Sequence, residues 1–157
     1  MEQAQHVRYL LLAVQREGNR FFADRLSELA LTPSQAEVLR VLQDYQPLSL
    51  MGLGELLVCE TGSPSRLVNG MVEAGYVERI TPPTDRRMVT LTLTEKGQAM
   101  ATRVQGIEAE MDQIINGVLE SATIPTGEMM DLLWKFIEGR PAGEALARRT
   151  GRQISQA

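Results

Sequence analysis

The side chains best equipped for chemistry in this 157-residue chain are arginines and small polar groups, and they cluster. Asp85, Arg86 and Arg87 stand together just after Pro82 and Pro83, and Ser63, Pro64, Ser65, Arg66 and Asn69 crowd a segment upstream. A guanidinium stays charged and meets phosphate as a planar fork, whereas hydroxyls and an asparagine amide can bond phosphates or read base edges. That chemistry is recognition of an anion or a nucleic acid. His6 and Cys59 are the only imidazole and the only thiol. No nucleophile therefore has a neighbouring base, and neither metal-ligand spacing nor a phosphate-cradling glycine loop occurs. No enzymatic activity, cofactor or metal is expected.

The charge distribution sharpens this reading. A net charge of −4 excludes a protein that is basic all over, but binding nucleic acid requires only a basic face. Over residues 107–138 seven acids, Glu108, Glu110, Asp112, Glu120, Glu128, Asp131 and Glu138, face one base, Lys135, so that stretch repels DNA. Between Arg66 and Arg87 the four arginines Arg66, Arg79, Arg86 and Arg87 outnumber the three acids Glu73, Glu78 and Asp85. A local basic tip is expected there.

Apolar residues at 43% and charged residues at 23% are those of a globular chain, which argues against disorder and collagen-like repeats. Aromatics at only 4% leave the core to Leu, Val, Ile, Ala and Met, which suits helices better than a sheet sandwich. The longest apolar run, near Tyr9 to Val14, falls far short of the roughly 20 residues that cross a bilayer, so no membrane partner is expected. A single cysteine makes no internal disulfide, and no basic-then-apolar leader opens the chain; a reducing cytoplasm is the expected location.

Elements that could hold these residues follow from periodicity. Val7, Leu10, Leu11, Val14, Phe21, Phe22, Leu26 and Leu29 have helical spacing over residues 5–29. Thr32 and Pro33 open a second helix that stops before Pro47, and Leu53, Leu56 and Leu57 make a short third helix. Ser63 as N-cap and Pro64 at the first helical position start a fourth, which Gly75 ends, leaving Leu67, Met71 and Val72 as core. Residues 76–80 and 88–94 read as two strands joined by a basic turn. Thr94 caps a long helix reaching about Glu120, and a last short helix, 129–137, is apolar around much of its circumference and requires burial on several sides. The expected fold is mainly α with a small β hairpin, long helices flanking a central run of short helices and hairpin. The expected parts are helical stretches at 1–31 and 98–140, a central lobe at 32–97, and a basic, flexible or weakly helical tail at 141–157.

Helix, turn, capped helix and ribbon in this order make the winged form of the helix-turn-helix motif, in which the second helix enters the major groove and the ribbon tip meets the backbone or minor groove. The chain resembles the MarR family of transcription regulators from its first helix to about Gly139. The resemblance is carried by Leu31, Thr32, Pro33, Ser34 and Gln35, by Ser63 through Asn69, by Gly75, Tyr76, Val77, Glu78 and Arg79, by Asp85, Arg86 and Arg87, and by Leu93, Thr94, Glu95, Lys96 and Gly97. It departs from the common pattern at Gly62 and Pro64, which stiffen the start of the recognition helix, and at Gly70, where a larger and often basic residue is usual.

The resemblance implies a sequence-specific transcription regulator, a repressor, that binds double-stranded DNA as a homodimer on a near-palindromic operator, with 32–97 as a winged helix-turn-helix DNA-binding lobe flanked by N- and C-terminal dimerisation helices at 1–31 and 98–140. It places Ser63, Pro64, Ser65, Arg66 and Asn69 on the recognition helix and Asp85, Arg86 and Arg87 at the wing tip, the aspartate bracing an arginine that meets the minor groove. A solvated hairpin turn with an ordinary ion pair is the plainer use of those three residues, and Arg66 could equally hold a phosphate or an internal carboxylate. The resemblance also implies release of DNA by a small, often aromatic effector, for which His6, Arg16 and Arg20 are the polar candidates on the first helix. Two alternatives stand beside it. One is redox sensing through Cys59, although Glu60 beside it raises a thiol pKa and a lone cysteine is commonly core; the other is a winged helix used only for protein association.

Overall fold

The computed structural model describes residues 2–58, 63–81 and 89–152. The chain divides into two compact units, Met1–Pro33 and Ser34–Ala157. The first is dominated by α1 (Gln3–Ser27), in which Leu26 is the buried residue and Val7, Tyr9, Leu10, Leu11, Leu12 and Val14 are exposed. Its end is closed by Leu31 N–H donating to the Leu26 carbonyl and Ala30 N–H to that of Ser27, with Ala30 in the left-handed region at φ 54°. That is the geometry of a Schellman closure with alanine where glycine is usual.

The second unit is built from α2 (Pro33–Tyr45), α3 (Leu50–Gly54), α4 (Pro64–Glu73), β1 (Val77–Ile80), β2 (Thr90–Leu93), α5 (Glu95–Ser121), α6 (Thr126–Ile137) and α7 (Pro141–Thr150). Proline takes the first helical position of α2, where its missing N–H costs nothing. The buried face of α2 is Ala36, Val38, Leu39, Val41 and Leu42; with Leu53, Val68, Met71, Val77, Leu91, Ala101 and Val104 it forms the core. Arg40 ties α2 to α5 through an Nε bond to Glu108 at 2.7 Å, and Asp44 lies 3.6 Å from the same guanidinium.

The hairpin pairs β1 and β2 antiparallel in the register Val77 with Leu93 to Ile80 with Thr90. A bridge between Leu48 and Leu91 extends it on the other side, with Leu91 N–H donating to Leu48 at 2.7 Å. At the end of α4, Tyr76 N–H returns to the Met71 carbonyl and Gly75 N–H to that of Val72, while Gly75 sits at φ 75°. This Schellman turn satisfies helix carbonyls and aims the chain into β1. Thr94 caps α5 by accepting from Gly97 N–H at 3.0 Å, and its hydroxyl donates to the Gly75 carbonyl at 2.7 Å. A Cβ on Gly97 would collide with the Tyr76 carbonyl, so only glycine lets α5 lie this close to the end of α4.

Along α5 burial stops partway: Gly97, Ala101, Val104 and Ile107 are buried, whereas Ile114, Ile115 and Val118 are exposed. No residue of α6 is buried, although the apolar circumference of that helix calls for cover on several sides.

Of the chain after Gly139, expected to be flexible or weakly helical, residues 141–150 form α7, with Gly143, Ala145 and Ala147 buried. These residues offer little side chain, so their pattern does not announce a packed face. Their value is close approach, since a Cβ on Gly143 would collide with the Ile137 carbonyl. Pro141 opens the helix and Gly151, at φ 68°, ends it.

No described helix is long and apolar enough to cross a membrane.

Candidate nucleic-acid interface

The exposed face of α4 carries Ser65, Arg66 and Asn69, while Val68 and Met71 on its other side are sealed in the core. Leu67 and Val72, expected in the core, are half-buried flanks, and Val68 takes the inner position. Ser63 stands at the N-cap with extended backbone (φ −95°, ψ 110°), but its side chain does not cap the helix. Its hydroxyl instead pairs with that of Ser65 at 2.8 Å. Pro64 is the first helical residue and lies against α3, where a Cβ on Gly54 would come within 3.4 Å of the Pro64 ring. The helix N-terminus carries the positive end of its dipole, so serines and a guanidinium in its first turn present donors to an anion.

Asn69 is held from the neighbouring strand, because Arg79 of β1 donates to its side-chain oxygen. This contact was not legible beforehand, since it joins residues on different elements. It brings the guanidinium of Arg79 onto the exposed side of α4 and orients the Asn69 amide. Lys96 adds to the same end of the lobe, donating to the Ala74 carbonyl at 2.7 Å with its ammonium 4.5 Å from the centre of the Tyr76 ring.

Behind α4 the support is polar as well as apolar. Glu37 on α2 is 9% exposed and accepts from Val58 N–H at 2.7 Å, five positions ahead of Ser63. Arg149 of α7 reaches the same carboxylate oxygen at 3.1 Å. A glutamate between Ala36 and Val38 is the one available sequence signal that a buried carboxylate needed partners.

Asp85, Arg86 and Arg87, assigned to the wing tip, and Cys59, the redox candidate, lie outside the described residues. His6, Arg16 and Arg20 lie along the exposed surface of α1, where Arg20 pairs with Glu17 at 3.4 Å as an exposed ion pair of little energetic weight. Among the described residues no group of three or more His, Cys, Asp or Glu could hold a metal ion.

Residues 31–97 match the winged helix DNA-binding domain family. Over 93 residues, 59% of its length, the chain is 31% identical to an uncharacterised HTH-type transcriptional regulator of Bacillus cereus, and it spans 61% of the length of that relative. Among solved structures it is similar to a mutant MarR of E. coli complexed with operator DNA, with a TM-score of 0.66, 21% identity, and coverage of 87% of this chain and 99% of that one. It is likewise similar to the PcaV transcriptional regulator of Streptomyces coelicolor in complex with its natural ligand, with a TM-score of 0.69, 23% identity, and coverage of 87% and 94%. These relatives are regulators rather than enzymes. The chain carries a winged helix DNA-binding domain on the fold of the MarR-type regulators.

Proposed function

We propose that this protein is a DNA-binding transcription regulator that places α4 in the major groove and its β1–β2 wing on the adjacent backbone or minor groove. The observation that carries the reading is the two-sided α4: Val68 and Met71 lock it to the lobe, and Ser65, Arg66 and Asn69 face outward beside a hairpin that supplies Arg79. In this reading Ser63, Ser65, Arg66 and Asn69 contact bases or phosphates, and Asp85, Arg86 and Arg87 form the wing tip.

The protein acts as a homodimer on a near-palindromic operator. The exposed apolar residues of α1, the far half of α5 and α6 support this, since a second copy would cover surface that one chain leaves in water. Repression follows from occupying the operator, and release by a small effector is proposed by analogy with the ligand-bound PcaV structure, with His6, Arg16 and Arg20 as polar candidates.

A gel-shift titration with genomic fragments flanking the protein's own gene tests the reading. Sequence-selective binding that weakens steeply with added salt is expected, because neutralising phosphates releases counterions. Binding equal on all fragments, or none, would sink it.

A further inference from the structure

Val58, ahead of α4 in the chain, is held by a brace whose far end is α7. Glu37 on α2 accepts from the N–H of Val58, the last described residue before Ser63 at the N-cap of α4, at 2.7 Å. The same oxygen receives Arg149 Nη1 at 3.1 Å, and Glu37 is nearly closed to solvent while Arg149 is 26% exposed. Two further bonds fix α7 in place: the Tyr45 hydroxyl at the end of α2 donates to the Arg149 carbonyl at 3.0 Å, and Arg148 reaches the Glu55 carbonyl just past α3 at 3.4 Å. The other side of α7 is tied to α6, with Gly143 against the Ile137 backbone, Arg152 on Asp131 at 3.4 Å and the Arg152 guanidinium 4.7 Å from the centre of the Trp134 ring.

We infer that Arg149 is a positioning residue for DNA binding: through Glu37 it holds the chain at Val58, and so links the apolar α6 to the approach of the recognition helix. The physical reason is the burial of Glu37. A carboxylate this enclosed is stabilised by charge-assisted partners, and removing the Arg149 charge, 3.1 Å from the oxygen that accepts from Val58 N–H, weakens what fixes that oxygen in place and so loosens its hold on Val58. The brace rests on the DNA-binding reading for its consequence, but its local effect does not depend on that reading.

The test uses the full chain with Arg149→Met, which keeps the packing stem and removes the charge, and Arg149→Lys, which restores a charge at that position. Native-state amide exchange at Val58 and affinity for a fragment bound by the wild-type protein are measured together. Arg149→Met is expected to speed Val58 exchange and to weaken DNA binding, each about three- to tenfold, with amides of the buried half of α5 unchanged; Arg149→Lys recovers part of both. Unchanged Val58 exchange overturns the brace, and faster exchange with unchanged DNA affinity overturns the positioning role for DNA binding. A wild-type protein that binds no DNA overturns the regulator reading instead, and Val58 exchange still decides the brace.

Discussion

The lobe from α2 to β2 and the helices α1 and α6 spend similar kinds of residue in opposite ways. In the lobe, Val38, Leu39, Val41, Leu42, Leu53, Val68, Met71 and Leu91 are closed to solvent within one chain. On α6, Leu132 is 58% and Phe136 52% exposed, and on α1 Val14 is 72% exposed. A lobe so packed draws its stability from its own chain, whereas helices so bare leave apolar area that the proposed second copy would cover. The boundary runs through α5, buried as far as Ile107 and open from Ile114 to Val118.

The sharpest break of this comparison is Leu39→Ala. It empties a fully buried site and is expected to cost about 2–5 kcal/mol in denaturant unfolding, with a loss that does not vary with protein concentration. Phe136→Ser is the counterpart on α6. Its main effect is expected on association: sedimentation shows a dimer–monomer equilibrium moved by about 2 kcal/mol or more, and the thermal midpoint becomes more dependent on concentration. If Phe136→Ser destabilised a monomeric protein as much as Leu39→Ala does, the contrast between the regions would be wrong.

Gly97→Ala probes the joint between α4 and α5. The added methyl meets backbone, the Tyr76 carbonyl, and is expected to cost about 1–3 kcal/mol by urea titration. The smallest effect is expected at Ala30, exposed and at φ 54°. Ala30→Gly relieves a left-handed strain of about 1 kcal/mol and gives part of it back through the greater freedom of glycine in the unfolded chain. The thermal midpoint should rise slightly; a clear fall would show that Ala30 is not strained.

Local rules made most of the fold legible in the sequence. Pro33 and Pro64 mark helix starts, Gly75 marks the turn out of α4, Thr94 marks the start of α5, and alternation over residues 90–93 marks β2. Each works through backbone geometry within a few residues. What escaped depends on distance along the chain or on the absence of side chain. The bond from Arg79 to Asn69 and the meeting of Val58, Glu37 and Arg149 join residues on separate elements. The α7 helix packs through Gly143, Ala145 and Ala147, and small residues carry too little apolar pattern to distinguish a docked face from a solvated one. Ser63 teaches a narrower lesson: residue type places it at the N-cap, yet its hydroxyl bonds Ser65 rather than the helix.

The most direct measurement is selection of duplexes by the wild-type protein from a random DNA library. The account predicts enrichment of two inverted half-sites whose centres lie about one helical turn, roughly 10 to 10.5 base pairs, apart. Recovery of no sequence above the starting library would contradict it.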